Sequence, residues 1–289
     1  MSNLLKLTND YVFKRIFGYS GDEEITKVLL RDILQTEVTQ IELGKNTITE
    51  KDLLDDKVGI LDIKASINKN IECDIEMQVV NQKDIEKRLL FYWSKIYSNT
   101  IKEGNGYETL KKSIIVLIAD SEFKRLKNIK KYITKWNLRE EEYASVILTD
   151  VLEIYIIELE KFSKLTKTRA NQNLNFWIDF IKNPEVVKMS KNEKDEKSLE
   201  ETKNAICKAK ENLEKLSEDE HERYLAGLRE KYIRDQYSIE AYGYDRGKEE
   251  GKNEEKIAIA KKMLEQKADI EFIKNCTGLS EEEIDSLRK

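Results

Sequence analysis

The feature that most constrains the fold is the continuous apolar run SIIVLIA at Ser113–Ala119. An uninterrupted run of this kind is typical of a strand that is buried on both faces of a sheet. Such a strand has to be covered by helices, because its side chains would otherwise face water. The chain has one proline and eleven glycines in 289 residues, which is unfavourable for a turn-rich all-β fold. We therefore predict an α/β fold, with a mixed central sheet flanked by helices.

The spacing of apolar residues before this run predicts the element order α-β-β-β-α-β for the first half of the chain. After the run we expect a basic helix near 122–136 and a pair of apolar strands within 143–159. The elements before and including the run are helices at 8–18 and 22–35, strands at Val38–Leu43, Val58–Ile67 and Ile71–Val80, a long amphipathic helix at Gln82–Glu103, and the buried strand at Ser113–Ala119.

The remainder of the chain is predicted to be helical. Helical patterns at 165–182 and 198–237 flank the charged stretch KMSKNEKDEKS, which is typical of a mobile linker. A glycine recurs every fourth residue at 243–251, and the break TGLS then separates two short helices. We accordingly expect three parts: an α/β core at 1–163, a helical extension at 164–240, and a charged helix with a small C-terminal module at 241–289.

Composition excludes several kinds of site. The single histidine, His221, rules out a zinc site built from several histidines, and the three cysteines form no CxxC pair. Odd, scattered cysteines fit a reducing compartment. No run of about 20 apolar residues is present, so we expect no membrane span and a cytoplasmic location.

The charge distribution is compatible with nucleic-acid binding. The net charge is −5, yet residues 81–139 hold fourteen Lys or Arg against six Asp or Glu, a balance of +8. Such a block can present a phosphate-binding face on an acidic protein. It can equally arise by chance in a lysine-rich chain.

The two alternating strands carry the candidate chemistry. If 68–70 forms a three-residue hairpin turn, residues whose numbers sum to 138 lie opposite each other, which places Asp62 opposite Glu76 and Lys64 opposite Asp74. Opposed side chains have Cβ atoms about 4.5–5.5 Å apart. Two carboxylates at that spacing repel and need a cation, and Mg²⁺ is one that carboxylates bind. An ordinary solvent-exposed hairpin face is the alternative.

These residues resemble a known signature. Asp62, followed after thirteen residues by Glu76-Met77-Gln78, is similar to the D…(D/E)xK motif of PD-(D/E)xK nucleases, with glutamine at the lysine position. The whole chain resembles one branch of that superfamily, the Rpn family of recombination-promoting nucleases and transposases. The stretches that carry this resemblance are DYVFKRIFG at 10–18, IEMQV at 75–79, KRLLFYWSKIY at 87–97, IELEKF at 157–162, GYDRGKEEGK at 243–252 and TGLSEEEI at 277–284.

The resemblance implies a metal-dependent DNA endonuclease that is linked to recombination or mobile elements. Asp62 and Glu76 would hold Mg²⁺ or Mn²⁺ with the main-chain carbonyl of Met77, and the ion would activate water for attack on the phosphodiester. Gln78 would orient that water, although it lacks the charge of a lysine. Lys64 lies on the same face and either supplies that charge or pairs with Asp74.

Three basic residues on the helix after the second strand are candidate DNA contacts. Lys87, Arg88 and Lys95 can contact phosphates, and Arg88 shares a helix face with Tyr92 at i and i+4. A solvated helix face is the alternative interpretation.

The C-terminal helix-TGLS-helix has helix-turn-helix proportions. Its second helix begins Glu281-Glu282-Glu283, which would meet phosphates badly, so a packing or partner-binding module is favoured over a DNA reader. Homo-oligomerisation through the C-terminal helices is a further expectation.

Two alternatives to the nuclease stay open. One is a catalytically weak or inactive DNA-binding or recombination accessory protein on the same fold. The other is a helical oligomerisation scaffold with no role on nucleic acid.

Overall fold

A computed structural model describes residues 4–19, 21–44, 48, 50–53, 62–78, 84–165, 171–186 and 196–288. These residues form a central sheet whose strands are β1 Ile41–Leu43, β2 Ile63–Ile67, β3 Ile71–Gln78, β4 Lys112–Ala119, β5 Ile133–Arg139 and β6 Ile147–Glu158. The strand order is β1-β2-β3-β4-β6-β5. The β3–β4 and β4–β6 pairs are parallel and the other pairs are antiparallel. The predicted mixed sheet is therefore confirmed.

Helices cover the sheet and form the C-terminal region, as expected. They are α1 Asp10–Phe17, α2 Glu23–Leu34, α3 Glu50–Leu53, α4 Ile85–Ser98, α5 Leu159–Lys164, α6 Gln172–Lys182, α7 Lys197–Glu218, α8 Glu220–Glu265, α9 Ile270–Thr277 and α10 Glu281–Ser286. Helix α1 begins at an N-cap, because Asn9 Oδ1 accepts hydrogen bonds from the backbone amides of Tyr11 and Val12. Among the described residues, no helix combines the length and the apolarity that crossing a bilayer requires.

Strand β4 is buried on both faces, as its apolar run predicts. Its even-numbered residues Ile114, Val116 and Ile118 belong to the main core, which α1, α2, α6 and α7 help to build. Its odd-numbered residues Ile115, Leu117 and Ala119 belong to a second core, which contains Leu89 and Tyr92 of α4. Each fully buried side chain of this size contributes about 1.5–3 kcal/mol to stability. The sheet is thus held between two helical layers.

The predicted basic helix at 122–136 is wrong. Residues 124–126 form a single 3₁₀ turn, and β5 begins at Ile133. Buried tertiary contacts hold this segment, because the carboxylate of Glu158 accepts from the backbone amide of Phe123 at 2.8 Å and from Lys161 Nζ at 2.6 Å. Lys161 Nζ also donates to the Leu126 carbonyl at 2.9 Å. These long-range bonds outweigh a local helical pattern.

The pair of strands predicted within 143–159 is also wrong, because this region contains the single long strand β6, which pairs with β5. Two expectations fall outside the described residues: most of the linker at 188–198 and the N-terminal part of the strand at Val58–Ile67.

The chain divides into two compact units, Met1–Ile233 and Arg234–Lys289, and the boundary falls inside α8. The first unit contains the sheet and both cores on its faces. The second unit has its own small core of Ala260, Ile273, Leu279 and Ile284. The three-part division at 163 and 240 remains a prediction, as does homo-oligomerisation through the C-terminal helices.

Candidate active site

The β2–β3 hairpin has the predicted register. Ile63 lies opposite Ile75 and Lys64 opposite Asp74, so paired residue numbers sum to 138. Residues 68–70 make the turn, in which Asn68 and Lys69 adopt positive φ values of 50° and 64°. Asn68 Oδ1 accepts from the backbone amides of Thr39 and Gln40, which fixes the turn against the segment that leads into β1. Asp62 lies directly before β2, next to the Ile63–Ile75 pair, and Glu76 follows Ile75 on β3.

The polar face of this hairpin is buried. Asp62, Asp74, Glu76 and Gln78 are all buried, whereas Lys64 is exposed. Buried carboxylates are uncommon in proteins unless they have partners. The face is therefore different from the ordinary solvated hairpin surface that the sequence left as an alternative.

Arg88 of α4 is a partner of this face. Its Nη2 atom donates to Glu76 Oε1 and, at 2.9 Å, to Gln78 Oε1. Its guanidinium carbon lies 5.4 Å from the centroid of the Tyr92 ring, as their i and i+4 spacing suggests. The structure thus brings Arg88 to the two β3 side chains of the signature.

Repulsion and burial act on the two aspartates. Burial raises the pKa of Asp62, and Asp10 raises it further, against the opposing charges of Arg88, Lys14 and Lys64. Burial also raises the pKa of Asp74 well above its ordinary value, and the neighbouring charge of Asp62 adds to this increase. Asp74 Oδ1 is a buried acceptor with no hydrogen-bond partner among the described residues.

Lys14 and Asp74 belong to this charge cluster, although sequence reasoning gave neither a role in binding metal. Lys14 is a buried lysine on α1, and its charge lowers the pKa values of both Asp62 and Asp74. The available signal was its place in the stretch at 10–18, between the core residues Phe13 and Ile16. A lysine at a core-facing helical position is a candidate partner for buried carboxylates.

Lys87 and Lys95 lie on α4 outside the carboxylate cluster. The Lys87 side chain is 81% exposed and its Nζ lies 2.7 Å from Asp84 Oδ1. Lys95 is exposed near the C-terminal end of the helix. Both side chains are accessible to a ligand, and their contact with DNA remains a prediction.

The residues of this face fit a divalent metal ion. They offer hard carboxylate oxygens, one of them the unpartnered Asp74 Oδ1, and cations must offset two aspartates whose negative charges repel. Met77 lies between Glu76 and Gln78 on β3, and its side chain points into the main core. Within the described ranges, no group of three or more His, Cys, Asp or Glu residues is arranged as a metal site. The candidate metal ligands are therefore the pair Asp62 and Glu76, and their binding of a metal ion remains a prediction.

A helix-flanked mixed sheet, with one carboxylate directly before a strand and another on the adjacent strand, is consistent with the fold of a PD-(D/E)xK nuclease. Residues 7–243 match the family described as PD-(D/E)XK nuclease family transposase, and the chain belongs to that family. Residues 253–289 match the family described as Rpn/YhgA-like nuclease family, C-terminal HTH domain. No curated protein and no solved structure matched the chain.

The C-terminal match bears on the module after α8. Its helices α9 and α10 are joined through Gly278, at a φ of 70°, and Ser280 and Glu283 form a capping box. The sequence favoured a packing module here because of the three glutamates that begin α10. The family description favours the other alternative, a helix-turn-helix.

Proposed function

We propose that this protein is a divalent-metal-dependent DNA endonuclease that hydrolyses phosphodiester bonds during recombination or the movement of mobile elements. The observation that carries the proposal is the buried polar face of the β2–β3 hairpin, where the buried carboxylates of Asp62 and Glu76 flank the Ile63–Ile75 pair. Membership of a nuclease family of transposases supports it. We place this activity in the cytoplasm.

In this proposal, Asp62, Glu76 and the main-chain carbonyl of Met77 hold Mg²⁺ or Mn²⁺. The bound ion would lower the pKa of water and stabilise charge that develops on the phosphate. Gln78 orients the attacking water, since Arg88 donates to its Oε1 and so fixes the amide group. Lys14 and Lys64 offset the charge of Asp62 and Asp74, which keeps the face compatible with an anionic substrate.

DNA would be held by two separate parts of the chain. Lys87 and Lys95 on α4 contact phosphates beside the cleavage site, together with Arg88. The C-terminal helix-turn-helix module supplies a second contact. The basic block at 81–139 supports a phosphate-binding face here, because its charge contrasts with the acidic remainder of the chain.

A second candidate is a DNA-binding accessory protein that has lost cleavage. The observation that favours it is Gln78, a neutral residue where the family motif has lysine. Both candidates predict DNA binding, and only the first predicts hydrolysis.

Nicking of supercoiled plasmid separates the two candidates. Wild type, Asp62→Asn and the control Asp150→Asn are compared with Mg²⁺ and with EDTA; Asp150 is exposed on β6. We expect Mg²⁺-dependent nicking by wild type and by the control. Asp62→Asn should lose nicking while DNA binding persists or strengthens, because it keeps the shape of aspartate and removes its charge.

Two results contradict the enzymatic proposal. Equal residual nicking in all three proteins would indicate a contaminating nuclease. Absence of nicking by wild type that still binds DNA would support the accessory protein.

A further inference from the structure

Arg88 lies where it would be close both to a metal ion bound by Glu76 and to a phosphate group of the substrate. Its Nη2 atom donates to Glu76 Oε1, which is an oxygen of the proposed metal-binding carboxylate. The same Nη2 atom donates to Gln78 Oε1, at the position where the family motif has its lysine. The Arg88 side chain is 26% exposed, so it is partly accessible from solvent.

Charge repulsion weakens the contact between Arg88 and Glu76 when a metal binds. Among the described residues, Arg88 forms an ion pair with Glu76, and the charges of Lys14 and Lys64 act on Asp62 and Asp74. A divalent ion on Glu76 would add two positive charges next to a guanidinium, and like charges at this distance repel. An anionic group of the substrate then becomes a more favourable partner for Arg88 than the metal-bound Glu76.

Gln78 and Tyr92 limit where the guanidinium can go. Gln78 Oε1 accepts a hydrogen bond from Arg88 and carries no charge. A metal ion bound to Glu76 therefore leaves this hydrogen bond in place. The Tyr92 ring lies 5.4 Å from the guanidinium carbon, a distance at which cation–π attraction operates. Arg88 therefore remains beside β3, where a guanidinium can bind phosphate oxygens with two hydrogen bonds.

We propose that Arg88 is the catalytic cation of this site and that Gln78 positions it in place of the lysine in the family motif. Arg88 neutralises Glu76 until a divalent cation takes that carboxylate, and it then binds the phosphate that is cleaved. This inference rests on the proposed endonuclease function. It assigns to Arg88 a contact with the phosphate that is cleaved, in place of a general contact with DNA.

The affinity for a metal ion tests whether Arg88 and the metal compete for Glu76, and this measurement does not depend on nuclease activity. Calorimetric titration with Mn²⁺ compares wild type, Arg88→Met and the control Arg125→Met. The Arg125 side chain is 82% exposed, and its Nε lies 3.6 Å from Oε1 of Glu86. Glu86 is on α4, the helix that also carries Arg88. Arg88→Met should bind Mn²⁺ about tenfold more tightly, because the ion no longer displaces a charge-assisted hydrogen bond. The control should match wild type, and equal affinity in all three would overturn the competition between Arg88 and metal.

Plasmid nicking tests the second half. Arg88→Met should reduce Mg²⁺-dependent nicking by about 10²-fold or more, the scale seen when one charge-stabilising donor is removed. The double variant Gln78→Lys/Arg88→Met should recover most of that loss, because the new lysine restores a cation on β3. A double variant that binds Mn²⁺ but nicks no better than Arg88→Met would overturn the role of Arg88 as the replacement cation.

Failure of the proposed function is distinguishable from failure of this inference. If wild type binds DNA but never nicks it, the endonuclease proposal and the catalytic role of Arg88 both fail, while the Mn²⁺ comparison still decides the competition at Glu76. Circular dichroism melting verifies that each variant folds. Arg88→Gln, which keeps a donor toward Glu76 without the charge, replaces Arg88→Met if the latter does not fold.

Discussion

Asp10 at the start of α1 and Arg229 in α8 form a buried ion pair. Arg229 Nε donates to both carboxylate oxygens at 3.0 Å, and Nη2 donates to Oδ2 at 2.7 Å. Arg229 also lies 4.9 Å from the centroid of the Tyr232 ring. Because the charge of Asp10 raises the pKa of Asp62, this pair also neutralises a carboxylate that acts on the candidate site. The first part of α8 is thereby joined to the helix that carries Lys14.

Breaking this pair should be costly. Arg229→Ala leaves Asp10 buried without its partner, and we expect a loss of about 3–5 kcal/mol in the free energy of unfolding. The control Arg246→Ala removes an exposed i,i+4 pair with Glu250 from the same helix, and should cost about 0.5 kcal/mol or less. Urea denaturation measures both. Similar small losses in the two variants would contradict a structural role for the buried pair.

The raised pKa of Asp74 predicts a specific pH dependence. The folded protein holds this proton more tightly than the unfolded chain, so the free energy of unfolding falls as pH rises from the ordinary aspartate pKa through the raised one. Asp74→Asn cannot ionise and also gains a donor toward neighbouring carboxylates. Its stability relative to wild type should therefore increase with pH, because only wild type has to lose this proton in the folded state.

Urea denaturation at a series of pH values from 4 to 8 measures this difference. The control Asp150→Asn changes an exposed aspartate, and its stability difference from wild type should stay flat. A flat difference for Asp74→Asn as well would mean that Asp74 ionises freely in the folded protein.

The exposed lysines of α4 should contribute to DNA affinity through phosphate contacts. Lys87→Ala/Lys95→Ala should weaken binding and lower the slope of log affinity against log salt by about 0.9 for each contact that is lost. The matched control is Lys197→Ala/Lys215→Ala on α7, which packs on the other face of the sheet from α4. Fluorescence anisotropy over a salt series gives both quantities. Identical slopes for the two double variants would place Lys87 and Lys95 on an ordinary solvated surface.

The C-terminal module should support DNA binding only when it is folded. Ile273 is fully buried in its small core, and Ile273→Ala should cost about 2–5 kcal/mol locally. We expect weaker DNA binding and faster amide hydrogen exchange in residues 254–288. The adjacent control Phe272→Ala changes a side chain that is 57% exposed. Equal DNA affinity of both variants, with faster exchange only in Ile273→Ala, would contradict a DNA-binding role for this module.

The sequence was informative where structure follows from local patterns. The 68–70 turn and the period of two predicted the hairpin register, and the apolar run predicted the doubly buried strand β4. The predicted helix at 122–136 is wrong. The backbone of this segment forms hydrogen bonds with the buried side chains of Glu158 and Lys161. Such bonds join residues that lie far apart in the chain, so no window of sequence reveals them.

The candidate site was predictable only where it depends on a local pattern. Asp62 and Glu76 are related by one hairpin, whose register follows from its turn. The contacts of Arg88 with Glu76 and Gln78 depend on how α4 packs against the sheet, and the influence of Lys14 depends on α1. The sequence placed Arg88 on a DNA-facing helix surface, whereas packing turns it toward the carboxylates.

Titration with Mn²⁺ tests most directly whether Asp62 and Glu76 form one metal site. Calorimetry compares wild type with Asp62→Ala and the exposed control Asp150→Ala, with circular dichroism to verify folding. We predict one weak Mn²⁺ site in wild type and in the control, and no detectable binding by Asp62→Ala. Binding of Mn²⁺ by folded Asp62→Ala with the affinity of wild type would contradict the metal-dependent site.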